Sequence, residues 1–111
     1  MLTRLLTLLL LVAPAFAVAS SYEMASPVIS DRDDCEALAQ GNFGLCRGED
    51  CRAVLLRSSS RCRSSDCRAI VLRQVSYCRT RDCRGLVLGS AGYCESNNCR
   101  AVLFHNMGLC R

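Results

Sequence analysis

The chain has 111 residues, ten of them cysteine, and a formal net charge of +4. All 14 basic residues are arginine, and there is one histidine and no tryptophan. One histidine leaves no credible Ser/His/Asp set, and ten cysteines in the roughly 94 residues after residue 17 exceed the share of roughly 8–10% that marks a disulfide scaffold.

The first segment, residues 1–17, reads as an export signal. Met1-Leu2-Thr3-Arg4 is a short basic start, residues 5–12 are almost wholly apolar, and Ala15-Phe16-Ala17 has the small-x-small form of a cleavage site. The apolar stretch is too short for a comfortable membrane span and ends at Pro14. Residues 18–34 have no periodicity and carry Glu23, Asp31, Asp33 and Asp34 against Arg32. They read as a flexible acidic leader.

Residues 35–111 are a repeat. The cysteines at 35, 46, 51, 62, 67, 78, 83, 94, 99 and 110 are separated by alternating steps of 11 and 5, so one 16-residue unit occurs five times. Each unit's first cysteine follows Asp34, Asp50, Asp66, Asp82 or Asn98. Two residues beyond that cysteine comes Ala37, Ala53, Ala69, Gly85 or Ala101. An apolar triplet follows, such as Val54-Leu55-Leu56 or Ile70-Val71-Leu72, and then small or polar residues. A unit of this size cannot bury an apolar face alone and needs its neighbours.

The expected fold is mainly α, a short-helix solenoid of five 16-residue disulfide-stapled repeats. The Asp/Asn column suits helix N-caps, because a side-chain oxygen there can take an unpaired N–H of the first turn. Gly41 and Gly89 suit C-caps. A second short turn carries the second cysteine, as in residues 42–46 and 74–78. The alternative is a disulfide-stapled β-solenoid. Against it, three consecutive apolar positions break strict alternation, and stacked strands would set like charges about 4.8 Å apart.

An exported chain reaches a compartment where disulfides persist. Pairing across the four-residue junctions strands Cys35 and Cys110, whereas pairing within each unit strands nothing. The expected bonds are therefore Cys35–Cys46, Cys51–Cys62, Cys67–Cys78, Cys83–Cys94 and Cys99–Cys110. The competing use of the same cysteines is metal binding. C-x4-C spacing lies within the range of paired zinc thiolates, and two four-thiolate sites could form, from Cys46, Cys51, Cys62 and Cys67 and from Cys78, Cys83, Cys94 and Cys99.

From Cys35 onward there are 12 arginines against 6 acidic residues. Arg52, Arg68, Arg84 and Arg100 hold one column of the repeat and make a candidate anion-binding stripe, since each guanidinium is a planar fork suited to carboxylate and phosphate. In the blander reading each arginine pairs with the Asp column and keeps the surface soluble. Tyr77 and Tyr93 share a column but form no stacking series, which argues against nucleic acid. His105 reads as a surface residue.

The runs Asp50-Cys51-Arg52-Ala53 and their copies at Asp66, Asp82 and Asn98 resemble short C-x10-C units of exported bacterial proteins of unknown function. That resemblance covers residues 34–111 and implies no activity. The functional expectation is a secreted or periplasmic, non-enzymatic repeat protein without a cofactor. Its basic surface would bind a partner such as an anionic polymer, an anionic surface or an acidic protein. The alternative is an exported thiolate protein binding zinc or copper.

Overall fold

The computed structural model describes residues 26–111. The expected export signal, residues 1–17, and the leader up to residue 25 lie outside the described residues.

Five short helices follow one another: α1 (Arg32–Gln40), α2 (Glu49–Leu56), α3 (Ser65–Leu72), α4 (Arg81–Leu88) and α5 (Asn97–Phe104). Each leads into a single 3-10 turn, from Phe43–Leu45 in the first unit to Met107–Leu109 in the last. The described residues contain no strand. The mainly α, disulfide-stapled repeat is therefore the fold, and the β-solenoid is not. Helices of eight or nine residues are marginal by themselves in water, so the units depend on packing and covalent staples.

The array does not stay open. Each helix packs on the next, and α5 packs on α1, so the solenoid closes after five units into a ring. One contact repeats at every junction. The first cysteine sulfur of a unit rests on the carbonyl oxygen of the residue before the preceding unit's first cysteine, as with Cys51 on Asp34 at 3.8 Å and Cys99 on Asp82 at 3.5 Å. The fifth copy closes the circle: Cys35 Sγ lies 3.7 Å from the Asn98 carbonyl. A disulfide sulfur carries no proton, so these are packing contacts.

Closure explains the disulfide pairing, which corrects the expectation. The bonds are Cys46–Cys51, Cys62–Cys67, Cys78–Cys83, Cys94–Cys99 and Cys35–Cys110. Pairing within units does not occur. Junction pairing strands the two outer cysteines only in an open array; in a ring they are neighbours. The small-residue column follows from the same staples. A Cβ on Gly85 would lie 3.1 Å from Cys94 Sγ and 3.2 Å from Cys99 Sγ, so nothing larger than alanine fits beside the bond.

The Asp column is also corrected. The N-caps sit two residues earlier: Ser64, Thr80 and Ser96 accept the backbone N–H of Cys67, Cys83 and Cys99, each at 3.1 Å. The aspartates lie in the first turn and reach forward to the next linker. Asp66 accepts from Arg79 N–H at 2.6 Å and from the Thr80 hydroxyl at 2.7 Å, and Asp82 accepts from Glu95 N–H and the Ser96 hydroxyl, both at 2.6 Å. Asp50 treats Arg63 and Ser64 in the same way. Each carboxylate thus holds the residue that caps the following helix, which fixes the angle between successive units.

At the hub, the packed domain starts earlier than Cys35. Val28 and Ile29, expected in a flexible leader, are the two largest fully buried side chains and pack with Ala37, Leu38, Ala53 and the apolar triplets. Asn98 holds this segment in place. Its Oδ1 accepts from Arg111 N–H at 2.7 Å, as an aspartate would, and its Nδ2 donates to the Ile29 carbonyl at 2.8 Å. A carboxylate has no donor for that second bond. The one asparagine in the Asp column stands where a donor is needed.

Candidate binding site

All five helices end in a left-handed C-cap. Gly41 and Gly89 take it as expected, and Arg57, Arg73 and His105 take it in the other units, with φ of 56°, 59° and 54°. A residue with a Cβ is strained there, at a cost on the order of 1 kcal/mol or more. Each cap still satisfies the helix end: Arg73 N–H, for example, bonds the Ala69 carbonyl, which also accepts Gln74 N–H at 2.9 Å.

These three residues border a cavity of about 380 Å³ at the centre of the ring. Its walls are the inward-facing parts of the apolar triplets, chiefly Val54, Leu55, Ile70, Val71, Val102 and Leu103, and Val28 of the hub segment also lines it. Leu56, Leu72, Leu88 and Phe104, the last residues of α2 to α5, are each about half exposed. Among the described residues, the Arg57 and Arg73 guanidinium groups make no hydrogen bond or ion pair. His105 is tied down: its Nδ1 is 3.2 Å from the Ala39 carbonyl across the closing seam. A carbonyl can only accept, so Nδ1 carries a proton.

The expected arginine column lies elsewhere. Arg52, Arg68, Arg84 and Arg100 occupy the first turns of α2 to α5. Because the array closes, they are spread around the ring and do not form one straight row. Arg52 reaches the Cys46 carbonyl and Glu49, each at 3.4 Å, and Arg100 reaches the Cys94 carbonyl at 3.2 Å and Asn97 at 3.1 Å. Arg68 and Arg84 are exposed. Pairing between arginines and the Asp column does not occur, because those carboxylates are occupied by backbone amides and hydroxyls. The ion pairs among the described residues are Arg32–Glu36, Arg47–Asp33, Arg52–Glu49 and Arg81–Glu95. Arg57, Arg61, Arg63, Arg68, Arg73, Arg79, Arg84, Arg100 and Arg111 are outside them.

No cysteine is free. The four-cysteine groupings do not form. Each of three junction pairs lies instead with the preceding unit's aspartate, as in Asp66, Cys78 and Cys83, with the ligand atoms of each set within 4.8 Å of one another. Five disulfides in one chain belong to an oxidising compartment outside the cytoplasm. Among the described residues no helix is long and apolar enough to cross a membrane.

The left-handed arginines, the central cavity and the ring closure were not read from the sequence. Arg57, Arg73 and His105 share one column with Gly41 and Gly89, and that alignment was the available signal. Comparison with family models, curated proteins and solved structures returns no match for this chain.

Proposed function

We propose that this is an exported, non-enzymatic binding protein, secreted or periplasmic, that presents a basic disulfide-stapled ring to an anionic partner. One observation carries the reading. The aspartates that could have neutralised the arginines accept from the linkers instead, which leaves most of the guanidinium groups, Arg68 and Arg84 among them, without an ion pair. Five staples hold those groups at fixed spacings, so little conformational freedom is lost on binding. The partner is an acidic polymer, an anionic surface or an acidic protein, and attachment weakens steeply with salt.

The test replaces Arg52, Arg68, Arg84 and Arg100 by Gln and measures elution from an anionic matrix across a salt gradient. The control replaces Arg61, Arg63, Arg79 and Arg111. The first set is expected to elute at clearly lower salt than the second. Equal loss in both would reduce the surface to net charge alone. Export is tested separately, by the intact mass of the natively exported chain with and without reductant: five disulfides make it lighter by two hydrogens each.

A second reading, thiolate metal binding, draws support from the Asp/Cys/Cys sets, which become ligand-rich only after reduction. A metal that stays bound to the natively exported chain through desalting would favour it over the disulfide ring.

A further inference from the structure

We infer that the mouth of the ring is a binding site for a single-chain anionic amphiphile: an apolar chain in the central cavity, with its charged head between Arg57 and Arg73. This site is distinct from the arginine column tested above.

The cavity's chemistry sets the tail. Its walls are Val, Leu and Ile side chains from successive helices, together with Val28. About half of the lining surface is apolar, and that aliphatic part favours an apolar occupant, while the polar part lies with Arg57, Arg73 and His105. At about 380 Å³ it lies near the small end of ligand pockets, which run to roughly 1,000 Å³. Allowing about 30 Å³ for a group the size of water, it holds roughly a dozen such groups, the length of a medium acyl chain.

The rim sets the head. Arg57 and Arg73 come from adjacent helices, border the cavity, and pair with nothing among the described residues. Arginine binds a carboxylate or phosphate through two parallel N–H donors. His105 borders the same mouth, its orientation fixed by the Ala39 carbonyl. A bland account exists: cations stabilise helix C-termini. It does not explain the choice of residue. The ring itself uses glycine at the equivalent Gly41 and Gly89, where the left-handed turn is unstrained. Arginine is the worse residue for the turn and the better one for an anion beside an aliphatic wall. Leu56, Leu72 and Phe104, the residues just before Arg57, Arg73 and His105, are exposed and suit the same kind of ligand.

Dodecanoate is the probe, titrated calorimetrically into the full oxidised chain, with dodecanol as the uncharged comparison. One dodecanoate per chain is expected, bound at least tenfold more tightly than dodecanol. The double variant Arg57→Gly/Arg73→Gly places in both units the residue the ring already uses elsewhere. It is expected to lose at least tenfold in dodecanoate affinity, to keep its affinity for dodecanol, and to melt no lower than the parent. Val71→Phe, which fills the cavity and leaves the charges alone, is expected to abolish binding of both. Failure of the full chain to bind dodecanoate overturns the inference. Equal affinity for dodecanol overturns the head-group assignment. A lower melting temperature with unchanged affinity in the double glycine variant would mean that the arginines serve the helix ends. Co-sedimentation with phosphatidylglycerol vesicles without dodecanoate binding would replace the cavity with simple surface adsorption.

Discussion

Four junctions of the ring are crossed twice, by the peptide chain and by a disulfide between cysteines five residues apart; the fifth, between α5 and α1, has no peptide link at all. The side-chain contacts are nearly the same at all five. A sulfur rests on a carbonyl, and an Asp or Asn oxygen accepts a linker N–H. What differs is what each bond does to the unfolded chain. A junction disulfide closes a six-residue loop, worth roughly 2 kcal/mol in the chain-entropy treatment, while Cys35–Cys110 closes nearly the whole domain, worth roughly 4.5 kcal/mol. Chemically equivalent staples thus have unequal thermodynamic weight, set by sequence separation.

The largest expected effect breaks that comparison directly. The pair Cys35→Ser/Cys110→Ser is expected to lose about 4–5 kcal/mol, against about 2 kcal/mol for Cys62→Ser/Cys67→Ser, as read by urea midpoints at constant slope. Equal losses would mean that chain entropy is not what distinguishes the seam. A fall in slope for the first pair alone would mean that the ring opens in the native state.

Next in size is the hub segment, which Asn98 fastens at the seam. Ile29→Ala removes a fully buried side chain whose neighbours come from several units, so a loss of about 2–4 kcal/mol is expected. Hydrogen exchange sharpens the point: the amides of α1 and α5 should lose more protection than those of α3. A uniform change would show that Val28 and Ile29 stabilise the ring as a whole and not its closure.

Much of the unit was legible in the sequence. The 16-residue period, the helix after each first cysteine, the short turn before each second one and the glycine C-caps are local features, and local propensity decides them. Closure was not legible, because it depends on the angle between successive units. That angle comes from Asp50, Asp66 and Asp82 holding the next linker, a contact 13 or 14 residues away. The disulfide expectation failed for the same reason. It ranked pairings by which cysteines an open chain would strand, and a closed chain strands none. The N-cap reading erred by two residues because an aspartate before a helical cysteine and a serine two positions further back are both good caps, and only the tertiary partner decides between them. Asn98 was read as an equivalent of aspartate, whereas its amide does something no aspartate could do. The arginine column was placed on the right turn of each helix. Its alignment into one stripe assumed a straight stack.

The smallest expected effects come from exchanging the two residue types between seam and junction. Asn98→Asp keeps the acceptor for Arg111 N–H but sets a carboxylate oxygen against the Ile29 carbonyl, two acceptors with no proton between them. Leaving these buried groups unpaired is expected to cost about 1–3 kcal/mol. The reverse exchange, Asp66→Asn, is gentler. Oδ1 still accepts from Arg79, and the new amide can donate to Thr80 Oγ1, which has two lone pairs and already accepts from Cys83 N–H. What is lost is a charge-assisted bond and the Thr80 proton's partner, for about 0.5–1.5 kcal/mol. Paired denaturation curves of the two variants measure the difference. If Asp66→Asn costs as much as Asn98→Asp, then charge in the column matters more than donor and acceptor matching, and the account of Asn98 as the residue that fastens the hub segment is wrong.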